Sequence, residues 1–392
     1  MAWPESWIQD MEADLDAAQA AGLLRVRRIA GGASRPEMDL DGRRVVQFAS
    51  NNYLGLASHP RVCGAAKSAL DAWGAGAGAS RLVGGGTLAV HAELEQALAA
   101  FKGVPAALVF ATGSMANTGL LATLASDKDL VLLDKACHAT LYDGARQSGA
   151  ALRRFAHQDL ARLDAELKRS ATGHRRRIVV VEAVYSMDGD VAPLPALLEM
   201  AARHQALLVV DEAHSTGVLG PGGRGILEHF SLAPQPHLVL TGTLSKSLGS
   251  LGGFVAGPAA LIETLVNRCR SFIYATALPG PCAAAALEAL RIITQEPVHL
   301  ARLRSRREAL ASGLQSLGWD CGPSQSPILP ILTGGPAETL ALEQKLWRAG
   351  YYVPAMRPPT VPAGACRLRL SVNAEHSDAH IEGVLKALGE RP

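Results

Sequence analysis

A chain of 392 residues, 48% of them hydrophobic and 19% charged, can bury a large core and lies outside the composition of disordered proteins. The formal net charge of +2 argues against a polyanionic partner such as nucleic acid. Six cysteines, at 63, 137, 269, 282, 321 and 366, form no Cys-x-x-Cys pair, which suits a reduced cytoplasm and implies neither a disulfide scaffold nor a metal site.

The first segment sets Glu5, Asp10, Glu12, Asp14 and Asp16 between apolar positions, a pattern that predicts an amphipathic helix and not a signal peptide. No later apolar run is long enough to span a bilayer, and even the alanine-rich stretch after Pro281 is broken by Glu288 and Arg291. A turn-rich passage from Gly31 to Pro36 leads to a predicted strand over Arg44 to Phe48. From Asn51 onward helical patterns alternate with short β runs at Ala107 to Ala111, Leu130 to Asp134, Ile178 to Ala183, Leu207 to Val210, Leu238 to Leu240 and Gly252 to Ala256. This alternation predicts an α/β fold with a mostly parallel central sheet covered by helices.

Near Pro279-Gly280-Pro281 the punctuation changes. A helical stretch to about Leu317, followed by short strands and helices, predicts a smaller C-terminal α+β domain. The chain thus divides into an N-terminal segment 1–45, a large domain 46–285 and a C-terminal domain 286–392. The basic runs Arg175-Arg176-Arg177 and Arg302 to Arg307 read as solvated faces.

Chemistry-bearing residues cluster where β runs end. The run Leu207 to Val210 stops at Asp211-Glu212-Ala213-His214, and the run Val239-Leu240 stops at Thr243-Leu244-Ser245-Lys246. In open α/β sheets ligands bind beyond the carboxyl ends of strands. Two nucleotide signatures fail here. Gly74-Ala75-Gly76-Ala77-Gly78-Ala79 misses the dinucleotide fingerprint at its last residue and follows no β run, and Ser245 stands where a P-loop needs glycine before its lysine. The Asp211-Glu212-Ala213-His214 box of a nucleotide-driven motor therefore lacks its upstream phosphate loop.

A better anion cradle is Thr112-Gly113-Ser114-Met115, where a β run turns through small residues into a predicted helix N-terminus. One cradle, an imine-forming lysine and an acid for a pyridine nitrogen are what pyridoxal 5′-phosphate requires. Lys246 and Asp211 supply the last two. His214 is placed to reach the ring's phenolic oxygen, His138 to lie on the ring face, Ser186 to hydrogen-bond beside it, and Thr243 to donate to the phosphate.

Asn51-Asn52-Tyr53-Leu54-Gly55-Leu56, Ser186-Met187-Asp188-Gly189-Asp190, Asp211 to Gly217 and Thr243 to Lys246 together resemble the α-oxoamine synthases. These are fold type I pyridoxal-phosphate enzymes that join a small amino acid to an acyl thioester with loss of carbon dioxide. Arg357-Pro358-Pro359-Thr360-Val361-Pro362-Ala363-Gly364 is similar to the form found in members that join L-alanine to a pimeloyl thioester, carried by coenzyme A or acyl carrier protein. Glycine-using members usually lack that Arg-Pro-Pro opening, and they are the alternative.

The resemblance implies that Lys246 binds the cofactor and then serves as base, with His138 beside it. It also implies that Arg357 and Thr360 meet substrate, that Arg25 meets the distal pimeloyl carboxylate, and that Thr276 reaches the phosphate of a neighbouring subunit in a homodimer. Two departures stand out. Val83 to His91 is about one residue longer than the family loop, and Met115 occupies a position where relatives often carry an aromatic.

Overall fold

A computed structural model of the chain describes residues 3–391. Its centre is a seven-stranded sheet whose strands lie in the spatial order Ala106–Phe110, Gly253–Gly257, Leu238–Thr243, Leu207–Asp211, Arg177–Glu182, Leu130–Asp134 and Ala151–Phe155. All pairings are parallel except those of Gly253–Gly257, which runs antiparallel to both neighbours. The predicted mostly parallel sheet is therefore the observed one.

The β runs are apolar nearly throughout because both faces of the sheet are covered. Alternate residues feed two cores. Leu130, Leu132, Val179, Val181, Leu208, Val210, Leu238 and Leu240 pack on one side, and Val131, Leu133, Ile178, Val180, Val209 and Val239 on the other. The outermost strand, Ala151–Phe155, went unrecognised in the sequence. As an edge strand it carries Arg153 and Arg154 toward solvent, which breaks the apolar run by which its neighbours are recognised.

The helical stretch predicted from Pro279 to Leu317 is two helices, Gly280–Gln295 and Val298–Ser316, interrupted at Glu296-Pro297. Proline lacks the N–H that would continue the ladder, so the first helix stops there. Gly280–Gln295 packs on the helices Pro60–Trp73 and Ala89–Lys102 and runs through the 285/286 boundary. The 45/46 boundary likewise falls inside the strand Arg43–Gln47. Beyond Ser316, Ile328–Gly334, Cys366–Ser371 and Ala355–Met356 form a small antiparallel sheet. Its residues Ile328, Leu329, Ile331, Leu368 and Leu370 join the same core as one face of the large sheet. The short strand Tyr351–Tyr352 pairs in parallel with Arg43–Gln47, so the two ends of the chain are stitched together.

The N-terminal helix is Glu5–Ala20, and none of its residues is buried. Among the described residues no helix is long and apolar enough to cross a membrane, and no cluster of His, Cys, Asp and Glu could hold a metal ion.

Candidate active site

Register brings the key strand ends side by side. Glu182 pairs with Asp211 and Asp211 with Thr241, so the loops leaving these strands open on one edge of the sheet. A cavity of about 220 Å³ lies there, lined by Gly113, Ser114, His138, Asp211, His214, Thr243 and Lys246 among others. Seven of the residues singled out in the sequence therefore share one wall.

A hydrogen-bond chain crosses its floor. Lys246 Nζ lies 2.7 Å from His214 Nε2, and His214 Nδ1 lies 2.7 Å from Tyr53 Oη, which donates to Asn51 Oδ1 at 3.2 Å. An amide oxygen can only accept, so the Tyr53 proton points to Asn51 and His214 Nδ1–H donates to Tyr53. Nε2 then presents a lone pair to the lysine. His214 is held neutral, because burial drives its pKa well below the ordinary imidazole value and the charges of Lys246 and Arg369 push the same way.

Asp211, 4% exposed, accepts from Ala213 N at 2.8 Å and from Asn117 Nδ2 at 2.8 Å. Asn117 is itself fixed by Thr241 Oγ1, which donates to its Oδ1 at 2.8 Å. The carboxylate is thus oriented, with capacity left for one more donor. Lys246 is pushed down to about 8 by burial, against the opposing pull of Asp211 and Glu182.

The strand-to-helix turn read as an anion cradle is present. Thr112 caps the helix Gly113–Leu124 by accepting from Met115 N at 3.1 Å. Gly113 and Ser114 fill the first turn, where N–H groups have no acceptor within the helix. Glycine is needed: a Cβ on Gly113 would stand 3.2 Å from Thr243 Cβ, and one on Gly253 only 2.5 Å from Gly113 Cα. Thr243 Oγ1 shares a hydrogen bond of 2.7 Å with Ser245 Oγ beside this turn. Cradle, oriented acid and buried amine fit pyridoxal 5′-phosphate: an anion seat, a partner for a protonated ring nitrogen and a carbonyl-reactive amine open on one cavity.

His138 caps the helix Ala139–Gln147, accepting from Thr140 N at 3.3 Å, and its ring is exposed at the cavity wall. Ser186 and Met115 stand just behind the wall. Ser186 N donates to Glu182 at 3.3 Å, and Met115 O accepts from Ser271 Oγ at 2.8 Å.

The remaining predicted residues lie elsewhere. Arg25 Nη2 donates to Thr360 Oγ1 at 3.2 Å. Arg357 donates to the carbonyls of Gly22 and, at 3.4 Å, Leu24. These three residues meet in a corner where the N-terminal segment crosses the Arg-Pro-Pro turn; Arg25 and Thr360 are exposed there, and Arg357 is half-buried. Thr276 is exposed and bridges to Ser80, away from the cavity of its own chain.

Sequence reasoning passed over three residues. Arg369, 3% exposed, donates to Asn51 Oδ1 at 3.3 Å and to Ser371 Oγ at 2.9 Å, and its charge is felt by Tyr53, His214 and Lys246. Tyr53 and Glu182 are the others. Tyr53 lies in the segment Asn51 to Leu56 already noted and Arg369 in the strand Cys366–Ser371, but alternation inside a short strand or turn does not mark which side chain faces a site.

Comparison with known proteins agrees with this geometry. The family described as aminotransferase class I and II matches residues 43–388, and the chain belongs to it. Its fold is that of fold type I pyridoxal-phosphate enzymes. The 8-amino-7-oxononanoate synthase of Cellvibrio japonicus (strain Ueda107) is 45% identical over 387 residues, covering 99% of this chain and 96% of that protein. Among solved structures, a variant of serine palmitoyltransferase from S. paucimobilis with bound PLP-myriocin aldimine superposes with a TM-score of 0.91 at 34% identity, covering 99% of this chain and 98% of that one. The 8-amino-7-oxononanoate synthase of Francisella tularensis gives 0.76 at 28% identity, with 88% and 96% covered.

Proposed function

We propose that this chain is a pyridoxal-phosphate-dependent acyltransferase that condenses L-alanine with a pimeloyl thioester to give 8-amino-7-oxononanoate, carbon dioxide and the free thiol carrier, a step of biotin biosynthesis. The observation that carries it is the Lys246 amine, 2.7 Å from a neutral His214, in a cavity that the oriented Asp211 also lines. Relatives about 45% identical over nearly the whole chain carry the 8-amino-7-oxononanoate synthase name.

When bound, the cofactor supplies an electron sink for the pair left at the substrate's α carbon. Asp211 would keep a proton on the ring nitrogen, so that the sink stays available. The Gly113 and Ser114 N–H groups and the Thr243 hydroxyl would hold the phosphate, with Met115 behind the turn. His138 would stack on the cofactor's ring, His214 and Ser186 would hydrogen-bond at its polar edge, and Lys246 would anchor it. The Lys246 amine would also serve as the base for the substrate's α proton.

Arg369 is better placed than Arg357 to hold the amino acid's carboxylate, because it is buried and its charge acts on both His214 and Lys246, while Arg357 ties down the N-terminal segment through the Gly22 and Leu24 carbonyls. A planar guanidinium takes both carboxylate oxygens. Arg25, Thr360 and Arg357 are left for the acyl substrate, whose distal carboxylate suits an exposed arginine. The active unit is a homodimer in which Thr276 serves the neighbouring site. Trp7, Ile8, Met11 and Leu15, all exposed on the N-terminal helix, support a subunit contact there.

Purified protein incubated with the cofactor should be yellow, and borohydride should leave a label on Lys246. Carbon dioxide release should require a pimeloyl thioester and be faster with alanine than with glycine. A faster rate with glycine would move the chain to the glycine-using members. Assays with pimeloyl thioesters of coenzyme A and of acyl carrier protein identify the donor.

A further inference from the structure

The mechanism above leaves one buried acid of the cavity without a task. Glu182 ends the strand Arg177–Glu182, is 2% exposed, and lines the same cavity as Lys246 and Asp211. One of its oxygens accepts from the backbone N–H of His138, and the other from that of Ser186 at 3.3 Å. A single carboxylate therefore ties together the two loops that carry the candidate ring-stacking histidine and the candidate polar-edge serine. Those loops leave different strands, and sheet register alone does not fix the gap between their tips.

We propose that Glu182 is a positioning residue: its two carboxyl oxygens set the spacing of the His138 and Ser186 loops around the cofactor, on the wall of the cavity that the Lys246 amine also lines. The inference rests on the reading that this cavity takes pyridoxal phosphate. The groups facing Glu182 are Asp211, on the adjacent strand, and Lys246; Cys137 and Tyr185, both raised above their ordinary values by burial first, stay neutral. Burial and then Asp211 push the Glu182 carboxyl up to about 8, while Lys246 lowers it. The attraction is mutual, since Glu182 and Asp211 both raise the lysine. Two acids stand near one amine, so removing either changes when the lysine gives up its proton.

Glu182→Gln removes the charge and replaces one acceptor by an NH₂ that meets a backbone N–H head on. Glu182→Asp keeps the charge and both acceptors but is one methylene short. For wild type and both variants, the apoprotein is tested in two ways. Affinity for pyridoxal phosphate is measured by equilibrium dialysis, and acylation of Lys246 by acetic anhydride is followed against pH by mass spectrometry.

E182Q should bind the cofactor about tenfold more weakly and shift the Lys246 acylation midpoint down by up to about one pH unit, because the carboxylate that forms as pH rises through about 8 no longer attracts the amine. E182D should keep the wild-type midpoint yet lose affinity. A purely structural role would weaken binding without moving the midpoint. Wild-type affinity and midpoint in E182Q would overturn the inference. Should E182Q not fold, wild-type affinity in E182D overturns the spacing role. If the wild type itself takes up no cofactor, the cofactor reading fails instead.

Discussion

Asp211, His214 and Lys246 stand at the ends of neighbouring buried strands, whereas the exposed Arg25 and Thr360 and the half-buried Arg357 meet in a corner formed by two crossing loops. At the strand ends each functional group has a fixed partner that is itself fixed: Asp211 by Asn117 and Asn117 by Thr241. In the corner, the arginines hold a hydroxyl and main-chain carbonyls at the protein surface. A site on rigid elements keeps the geometry that chemistry demands. A loop-built corner suits the binding of a substrate tail, where small displacements cost little.

The contrast should appear most sharply at Lys246. Lys246→Ala should lower turnover by about a thousandfold or more, while the cradle and Asp211 still bind cofactor without the covalent link. Assay and dialysis on the same preparation check both halves. A comparable loss from Arg25→Gln would erase the distinction between the two regions.

The strand-end site was legible because burial on both faces writes each parallel strand as an apolar run, so the polar residue that ends a run is conspicuous. Lys246, Asp211 and His214 stood out that way as candidates. Arg369 was not, because it lies within the strand Cys366–Ser371, where alternating arginines and leucines read as an ordinary half-exposed strand. All six of its residues are in fact buried. Arg357 stood out through its proline neighbours, and its local sequence says nothing of the Gly22 and Leu24 carbonyls, more than 300 positions away. Glu182 sat one residue inside the predicted end of its strand and was counted as part of the run.

The next largest effect should come from beneath the strand ends. Glu212 Oε2 lies 2.6 Å from Lys102 Nζ, with both side chains 1% exposed. Glu212 Oε1 accepts from Ile226 N at 2.7 Å, and Lys102 donates to Thr216 Oγ1 at 2.8 Å. The pair clamps the loop that carries His214. Glu212→Gln strands a buried ammonium and should cost about 3–5 kcal/mol, read as a lower denaturant midpoint. Lys102→Met with Glu212→Gln should recover part of that loss, which a loop stabilised by other contacts would not show.

The two arginines divide the regions more finely. Arg369→Gln should raise the KM for alanine about tenfold to a hundredfold, the value of a charge-assisted hydrogen bond. Arg357→Gln should leave that KM within about threefold, since what it releases is the tie to the N-terminal segment. Its effect should appear as faster proteolysis ahead of residue 25. A large alanine KM effect in Arg357→Gln would restore that residue to the carboxylate role.

The smallest effect tests how far order at the strand ends extends. His157 Nδ1 lies 3.1 Å from Asp134 and Nε2 2.8 Å from Asp190. Asp134 also accepts from Ala136 N at 2.8 Å, near the start of the His138 loop, and Asp190 closes the Ser186 loop. Burial alone would lower the His157 pKa, but its hydrogen bonds to the two carboxylates outweigh that and raise it to about 10. A folded value above the unfolded one, about 6.5, means the stabilisation is fully present below pH 6.5 and is lost as pH rises toward about 10. The difference in melting temperature between wild type and His157→Gln should therefore be constant from about pH 5.5 to 6.5, where both aspartates stay ionised, and shrink across that window. Titrating groups away from His157, Asp134 and Asp190 are common to both proteins and cancel. The imidazole is one-third exposed, so solvent screening keeps the shift modest. A difference that grew with pH would mean that His157 is neutral and holds the two aspartates by hydrogen bonds alone.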